Sequence, residues 1–152
     1  MRAGGHEPDS DASSRGSAAH PPLQARHDLV RLQVQDGVHL EVYWRSDEQG
    51  QGPAASLYAK TVEVLRLDCF GGDQGHMHIN AQGRVAKRWY FPAGTVADHI
   101  ERACFELGTN VEACLRLNQD PEIARLNLDW KEMRVIASEA RRLLLALADK
   151  RA

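Results

Sequence analysis

Three cysteines, Cys69, Cys104 and Cys114, are all that this chain of 152 residues contains, an odd number with no CxxC pair. That leaves no disulfide framework and suits reduced thiols in a reducing compartment. Charge of one sign is not in surplus either. Nineteen Lys and Arg face 21 Asp and Glu, a net charge of −2, so nucleic acid has no global electrostatic reason to bind. No window approaches the roughly 20 consecutive apolar residues of a membrane span. Internal repeats are missing. No Lys-Ser/Thr pair follows a glycine-rich turn as in a P-loop, and no serine sits in a nucleophile elbow.

The first 27 residues carry almost no large apolar side chain. Such a stretch cannot bury enough surface to offset ordering entropy, so disorder is expected over residues 1–27 and one domain over 28–152. The stretch also lacks the apolar run of a secretory signal, and Glu7, Asp9 and Asp11 argue against an organellar transit peptide. A cytoplasmic location is the expectation.

From Asp28 the apolar period is two. Val30, Leu32 and Val34 alternate with Leu29, Arg31, Gln33 and Gln35, and Asp36-Gly37 signals a tight hairpin. The next strand sets Val38, Leu40, Val42 and Trp44 on one face and His39, Glu41, Tyr43 and Arg45 on the other. Residues 46–53 read as a loop, 56–59 as a short third strand, 63–70 as a fourth, 76–79 as a fifth and 84–91 as a sixth, after a turn at Asn80–Gly83. Connections this short force an antiparallel meander.

Helical spacing then takes over. Thr95 with Asp98, Thr109 with Glu112, and Asp129 with Glu132 resemble N-terminal caps, and Gly108 fits a helix stop. Asp120-Pro121 opens a helical turn. Strands followed by helices predict an α+β fold, with about five to six meander strands and two to three C-terminal helices packed on one sheet face. Leu65, Leu67, Cys69, Met77 and Ile79 are expected to meet those helices.

The most chemically capable stretch is Asp68-Cys69-Phe70-Gly71-Gly72-Asp73-Gln74-Gly75-His76-Met77-His78. Two imidazoles one residue apart on a strand point to the same side, a geometry that can begin a metal or acid–base site. If Met77 and Ile79 face the core, His76 and His78 face away, as do Arg66 and Asp68, while Cys69 packs inward as an inert thiol. One polar face then collects His39, Glu41, Tyr43, Arg66, Asp68, His76, His78, Arg88 and Tyr90. His99, in the first turn of a helix, reads as a partly exposed surface group. The Gly71–Gly75 turn needs no anion to explain it, since a tight hairpin with positive φ suffices.

Over about thirty residues the stretch resembles the cupin family, whose first motif places HxH on a strand after a glycine. Gly71, His76 and His78 are the matching positions, and Pro92, Gly94 and His99 echo the second motif. The chain departs from that pattern where no Glu follows His78 at the family's spacing, where strands stop after Phe91, and where His99 falls in a predicted helix. The family's activity is therefore not carried over.

Two functions compete. The first is a non-catalytic binding or protein-interaction module that uses the polar and aromatic face for a protein partner or for self-association. Tyr43, Arg88, Trp89 and Tyr90 are residue types favoured at interfaces. The second is a metal-binding protein or small metal-dependent enzyme, with His76 and His78 as nitrogen ligands and Asp68 or Asp73 supplying oxygen to zinc or iron. A simpler account of the same alternation is that one side of an antiparallel sheet touches water. Basic residues cluster at Arg84, Lys87 and Arg88 and again over 131–152, where they suit solvated faces and a helix C-terminus.

Overall fold

The computed structural model describes residues 26–80 and 87–152. Six strands come first: β1 (Arg26–Gln35), β2 (Val38–Asp47), β3 (Gly50–Ala59), β4 (Val62–Asp68), β5 (His76–Ile79) and β6 (Lys87–Tyr90). Four helices follow: α1 (Val96–Thr109), α2 (Val111–Arg116), α3 (Pro121–Ala124) and α4 (Trp130–Lys150). The strands pair antiparallel in chain order, β1 to β6, so the fold is the expected α+β meander with helices on one face.

Turn chemistry sets this order. Gly37 (φ 75°) and Lys60 (φ 56°) adopt the left-handed region at the β1–β2 and β3–β4 turns, and the Lys60 amide donates to the Gly37 carbonyl at 2.7 Å. The period-two pattern then puts Leu40, Leu57, Leu65 and Leu67 on one face, where α1 and α4 bury them with Ile100, Leu107, Met133, Ala140 and Leu144. Each fully buried Leu or Ile contributes about 1.5–3 kcal/mol relative to exposure.

The caps at Thr95 and Asp129 form. The Asp98 amide donates to Thr95 Oγ1 (3.1 Å) while Asp98 Oδ2 accepts from the Thr95 amide (2.9 Å), a reciprocal box with Asp where Glu is usual. Asp129 Oδ1 accepts from the Glu132 amide at 3.1 Å. Thr109 is not a cap: α1 runs through Gly108 to Thr109, and Asn110 precedes α2 without a side-chain cap bond. Gly108 serves packing instead, since a Cβ there would sit 3.8 Å from Ala137 Cβ where α1 approaches α4.

Two boundaries shift, and a third lies outside the described residues. β1 starts at Arg26, two residues before the boundary expected from composition, and residues 1–25 lie outside the described ones. The turn at 80–83 and the start of the sixth strand fall largely on residues 81–86, also outside them. Residues 46–53 are mostly strand rather than loop, because the pairs Trp44↔Pro53, Arg45↔Gly52 and Asp47↔Gly50 extend the β2–β3 ladder almost to its tip. The glycines that suggest a loop there accommodate Phe70: a Cβ at Gly50 would lie 2.8 Å, and at Gly52 2.9 Å, from its ring.

The face opposite the helices is not a solvated surface. Tyr43, Ser56 and Asp68 are fully buried, and His39, Arg45, His76 and His78 nearly so. Side chains of the face cover one another, and Phe70 folds over it. Gln49 at the β2–β3 tip also reaches Arg88 of β6 (3.3 Å), across what would be about three strand spacings of 4.8 Å in a flat sheet. The sheet therefore curls around its polar side.

Candidate metal centre

Register assembles the centre. Tyr43, Ala54, Asp68, His76 and Tyr90 are opposed across five successive strands, and Glu41, Ser56, Arg66, His78 and Arg88 form the adjacent row. Opposed residues in antiparallel strands share a face, so both rows project to the polar side. All nine side chains expected on that face lie there, since His39 opposes Tyr58 one further row along.

The loop between β4 and β5 is held by backbone and by His99. Gly71 (φ 77°) and Gly72 (φ 58°) turn the chain after Asp68, and Gly72 exchanges two hydrogen bonds with Gly94 (2.7 and 3.0 Å). His99 is not a surface group. It is 1% exposed, accepts from the Gly71 amide at Nδ1 (3.0 Å) and donates from Nε2 to the Pro92 carbonyl (3.0 Å). This ring fills the space above Gly75, the residue before His76. Its engagement by two backbone groups leaves it no role as a ligand, and helices rather than strands follow Pro92, so the likeness to cupins ends at the HxH strand.

Asp68, His76 and His78 each offer one ligand atom, and these atoms lie within 4.8 Å of one another. Among the described residues this is the one such group. His76 Nε2 is 3.0 Å and His78 Nε2 3.8 Å from Asp68 Oδ2. In a tetrahedral zinc site with bonds of about 2.0–2.1 Å, neighbouring ligand atoms stand about 3.3 Å apart. Those two distances bracket that value, while the group as a whole spreads to 4.8 Å, so side-chain rotation would have to draw the ligand atoms together to close the site. Asp73 is exposed in the loop and does not join the group.

Hydrogen bonding distinguishes the three groups. His76 Nδ1 lies 2.7 Å from the Gln74 carbonyl, an acceptor, while Nε2 faces the Asp68 carboxylate, also an acceptor. Satisfying both nitrogens takes either a proton on each or a cation in place of the outer proton. A backbone carbonyl on the remote nitrogen is the usual means of orienting a metal-bound imidazole. His78 Nε2 and Asp68 Oδ1 are both buried without a hydrogen-bond partner among the described residues. A buried polar atom left without a hydrogen bond costs about 1–3 kcal/mol.

The surrounding charges account for part of this. Burial pushes the Asp68 carboxyl up, but the His76 bond and the guanidiniums of Arg66 and Arg45 outweigh it and hold the pKa below the ordinary carboxylate value. Arg66 Nε is 3.1 Å from Oδ2 and Arg45 Nη1 3.6 Å from Oδ1. Burial, reinforced by Arg66, lowers His78 to about 3, so its imidazole is neutral and one ring nitrogen has a lone pair available for a ligand role. An ion-pair network therefore explains why Asp68 is tolerated at zero exposure; it leaves His78 Nε2 unexplained.

The remaining residues of the face serve other ends. Tyr43 is buried with its hydroxyl 2.7 Å from Ser56 Oγ. His39 stacks on Tyr58 at 4.9 Å and lies 3.6 Å from Glu41. Arg26 crosses the Tyr43 ring at 4.5 Å, and its guanidinium bonds Tyr58, Glu41 and Glu63. Arg26, Phe70 and His99 are the participants that sequence reasoning missed, while Arg45 was placed on the polar side of its strand but not among the nine candidates. Cys69 is a packed thiol, as expected, and burial drives it well up, Cys104 to about 12 and Cys114 to about 11.

No helix among the described residues is long and apolar enough to cross a membrane. Compared with family models, curated proteins and solved structures, the chain matches none.

Proposed function

We propose that this chain is a divalent-cation-binding protein whose site is Asp68, His76 and His78. The carrying observation is the buried His78 Nε2, without a hydrogen-bond partner among the described residues, beside a histidine caught between two acceptors. Two imidazoles and one carboxylate suit zinc or iron(II), and three protein ligands leave at least one coordination position for water or substrate. With such an opening, a small metal-dependent enzyme is within the same reading. Metal analysis of protein purified without a chelating tag tests it. One equivalent of zinc or iron, lost in Asp68→Asn and His78→Ala, is the expected result; substoichiometric zinc, iron, nickel and manganese would overturn the proposal.

A second reading, a protein-interaction module, draws on β6. That strand ends the sheet, and Trp89 and Tyr90 on it are 42% and 59% exposed. Self-association through this edge is checked by size exclusion with light scattering, and a strict monomer at high concentration removes it. The three free cysteines favour a reducing compartment such as the cytoplasm. Nucleic acid is not part of either reading, since a net charge of −2 gives it no global attraction.

A further inference from the structure

We propose that the mouth of this centre binds an oxyanion, a carboxylate or a phosphate, on the guanidinium of Arg88. Four arginines of the polar face surround the centre, and three are committed to carboxylates. Arg26 pairs with Glu41 and Glu63, Arg45 with Asp47 and Asp68, and Arg66 with Asp68 and Glu63. Arg88 is different. Among the described residues it makes no ion pair, and its N–H groups meet only two neutral oxygens, Tyr90 Oη and Gln49 Oε1, each at 3.3 Å. Both distances are long for N–H···O bonds. A guanidinium fork bound to two weak neutral acceptors gains on exchanging them for one bidentate oxyanion.

Position gives this fork its meaning. Arg88 is directly opposite His78 across β5 and β6, which places the two Cβ atoms about 4.5–5.5 Å apart on the same face. Tyr90 stands likewise opposite His76. Arg88, Tyr90 and Gln49 are all exposed, whereas the ligand atoms behind them are buried. A ligand approaching from β6 therefore meets a cationic fork, a phenol hydroxyl and a carboxamide on the way to the buried Nε2 of His78. An anion held there can place one oxygen on Arg88 and direct the other toward the open coordination position. The inference rests on the cation-binding reading only for that second contact; the contact with Arg88 does not need a metal.

The test uses the full chain in two forms. Cobalt(II)-loaded protein is titrated with acetate and, separately, with inorganic phosphate while the visible absorption of the metal is followed. Metal-free protein is titrated with the same anions while the side-chain Nε–H resonance of Arg88 is followed. Expected are a saturable change in the cobalt spectrum and an apparent affinity about tenfold weaker, roughly 1.4 kcal/mol, in Arg88→Gln, with cobalt affinity unchanged. Whichever of acetate and phosphate binds more tightly identifies the ligand class. Binding that is equal in wild type and Arg88→Gln overturns the inference and leaves the metal reading standing. If cobalt does not bind, the metal reading falls by itself. The metal-free titration then decides: a saturable Arg88 shift supports the oxyanion site, and no shift overturns it.

Discussion

The ring of His99 occupies the space that a side chain at Gly75 would need: a Cβ there would fall 2.0 Å from His99 Nδ1. Gly75→Ala should therefore destabilise by about 1–3 kcal/mol, the usual cost of forcing volume into a packed site. The same change in a His99→Ala background should cost less, because the clash is gone. Urea unfolding of the four proteins in this cycle measures the coupling. Additive losses would show that Gly75 is constrained by something other than this ring.

Tyr43 and Ser56 hydrogen-bond to each other at 2.7 Å with neither side chain exposed. Tyr43→Phe should lose about 1–3 kcal/mol, because the serine hydroxyl is left buried and unpaired. Adding Ser56→Ala removes that orphan, so the double variant should recover part of the loss. Chemical denaturation at neutral pH gives the answer.

On the opposite face, Leu67 and Leu144 are fully buried. Leu67→Ala and Leu144→Ala should each cost about 2–5 kcal/mol, the transfer term plus the cavity left behind. A loss below 1 kcal/mol at Leu67, read from urea midpoints, would reverse the assignment of sheet faces.

Acid should weaken the metal-free fold through His78. Its folded pKa of about 3 lies below the unfolded value of 6.5, chiefly through burial. Between those values the unfolded chain carries a proton that the folded chain excludes. The stability contribution is thus complete above about pH 6.5 and is lost progressively as pH falls toward 3. Melting temperature against pH, with chelator present, should slope less steeply in His78→Gln over that window. Asp68 acts lower still: its depressed pKa makes a contribution present above the ordinary carboxylate value and lost below it.

Zinc should stabilise the fold by mass action, by about 2.7 kcal/mol when free metal is a hundredfold above Kd. Thermal unfolding with and without zinc should show the rise in wild type and none in His76→Ala or Asp68→Asn. A rise of equal size in those variants would mean that zinc binds elsewhere.

Parity carried most of what the sequence revealed. Alternation is unbroken in β2, in β5 and in β4 from Leu65 onward, so the face of Asp68, His76 and His78 follows from counting by two, and chain-order pairing then brings them together. Alternation says nothing about curvature, however. The same pattern fits an open, wetted sheet, and the burial of the polar side depends on Phe70 folding over Gly50 and Gly52 and on the reach from Gln49 to Arg88. Arg26 was hidden in a stretch whose composition reads as disordered, while its partner Glu63 is 37 residues away. His99 looked exposed because it opens an amphipathic helix. Its partners, the Gly71 amide and the Pro92 carbonyl, are backbone groups that carry no side-chain signal.

The opposed rows across five strands also make chain length a hidden variable. One residue inserted between Arg66 and Asp68 would swing the carboxylate through the sheet to lie beneath the helices, while the two imidazoles stayed anchored by their own loop. The composition of the protein would hardly change, yet the cluster would be dismantled. Length changes inside β4 or β5 should therefore be absent from any descendant of this chain that keeps the cluster.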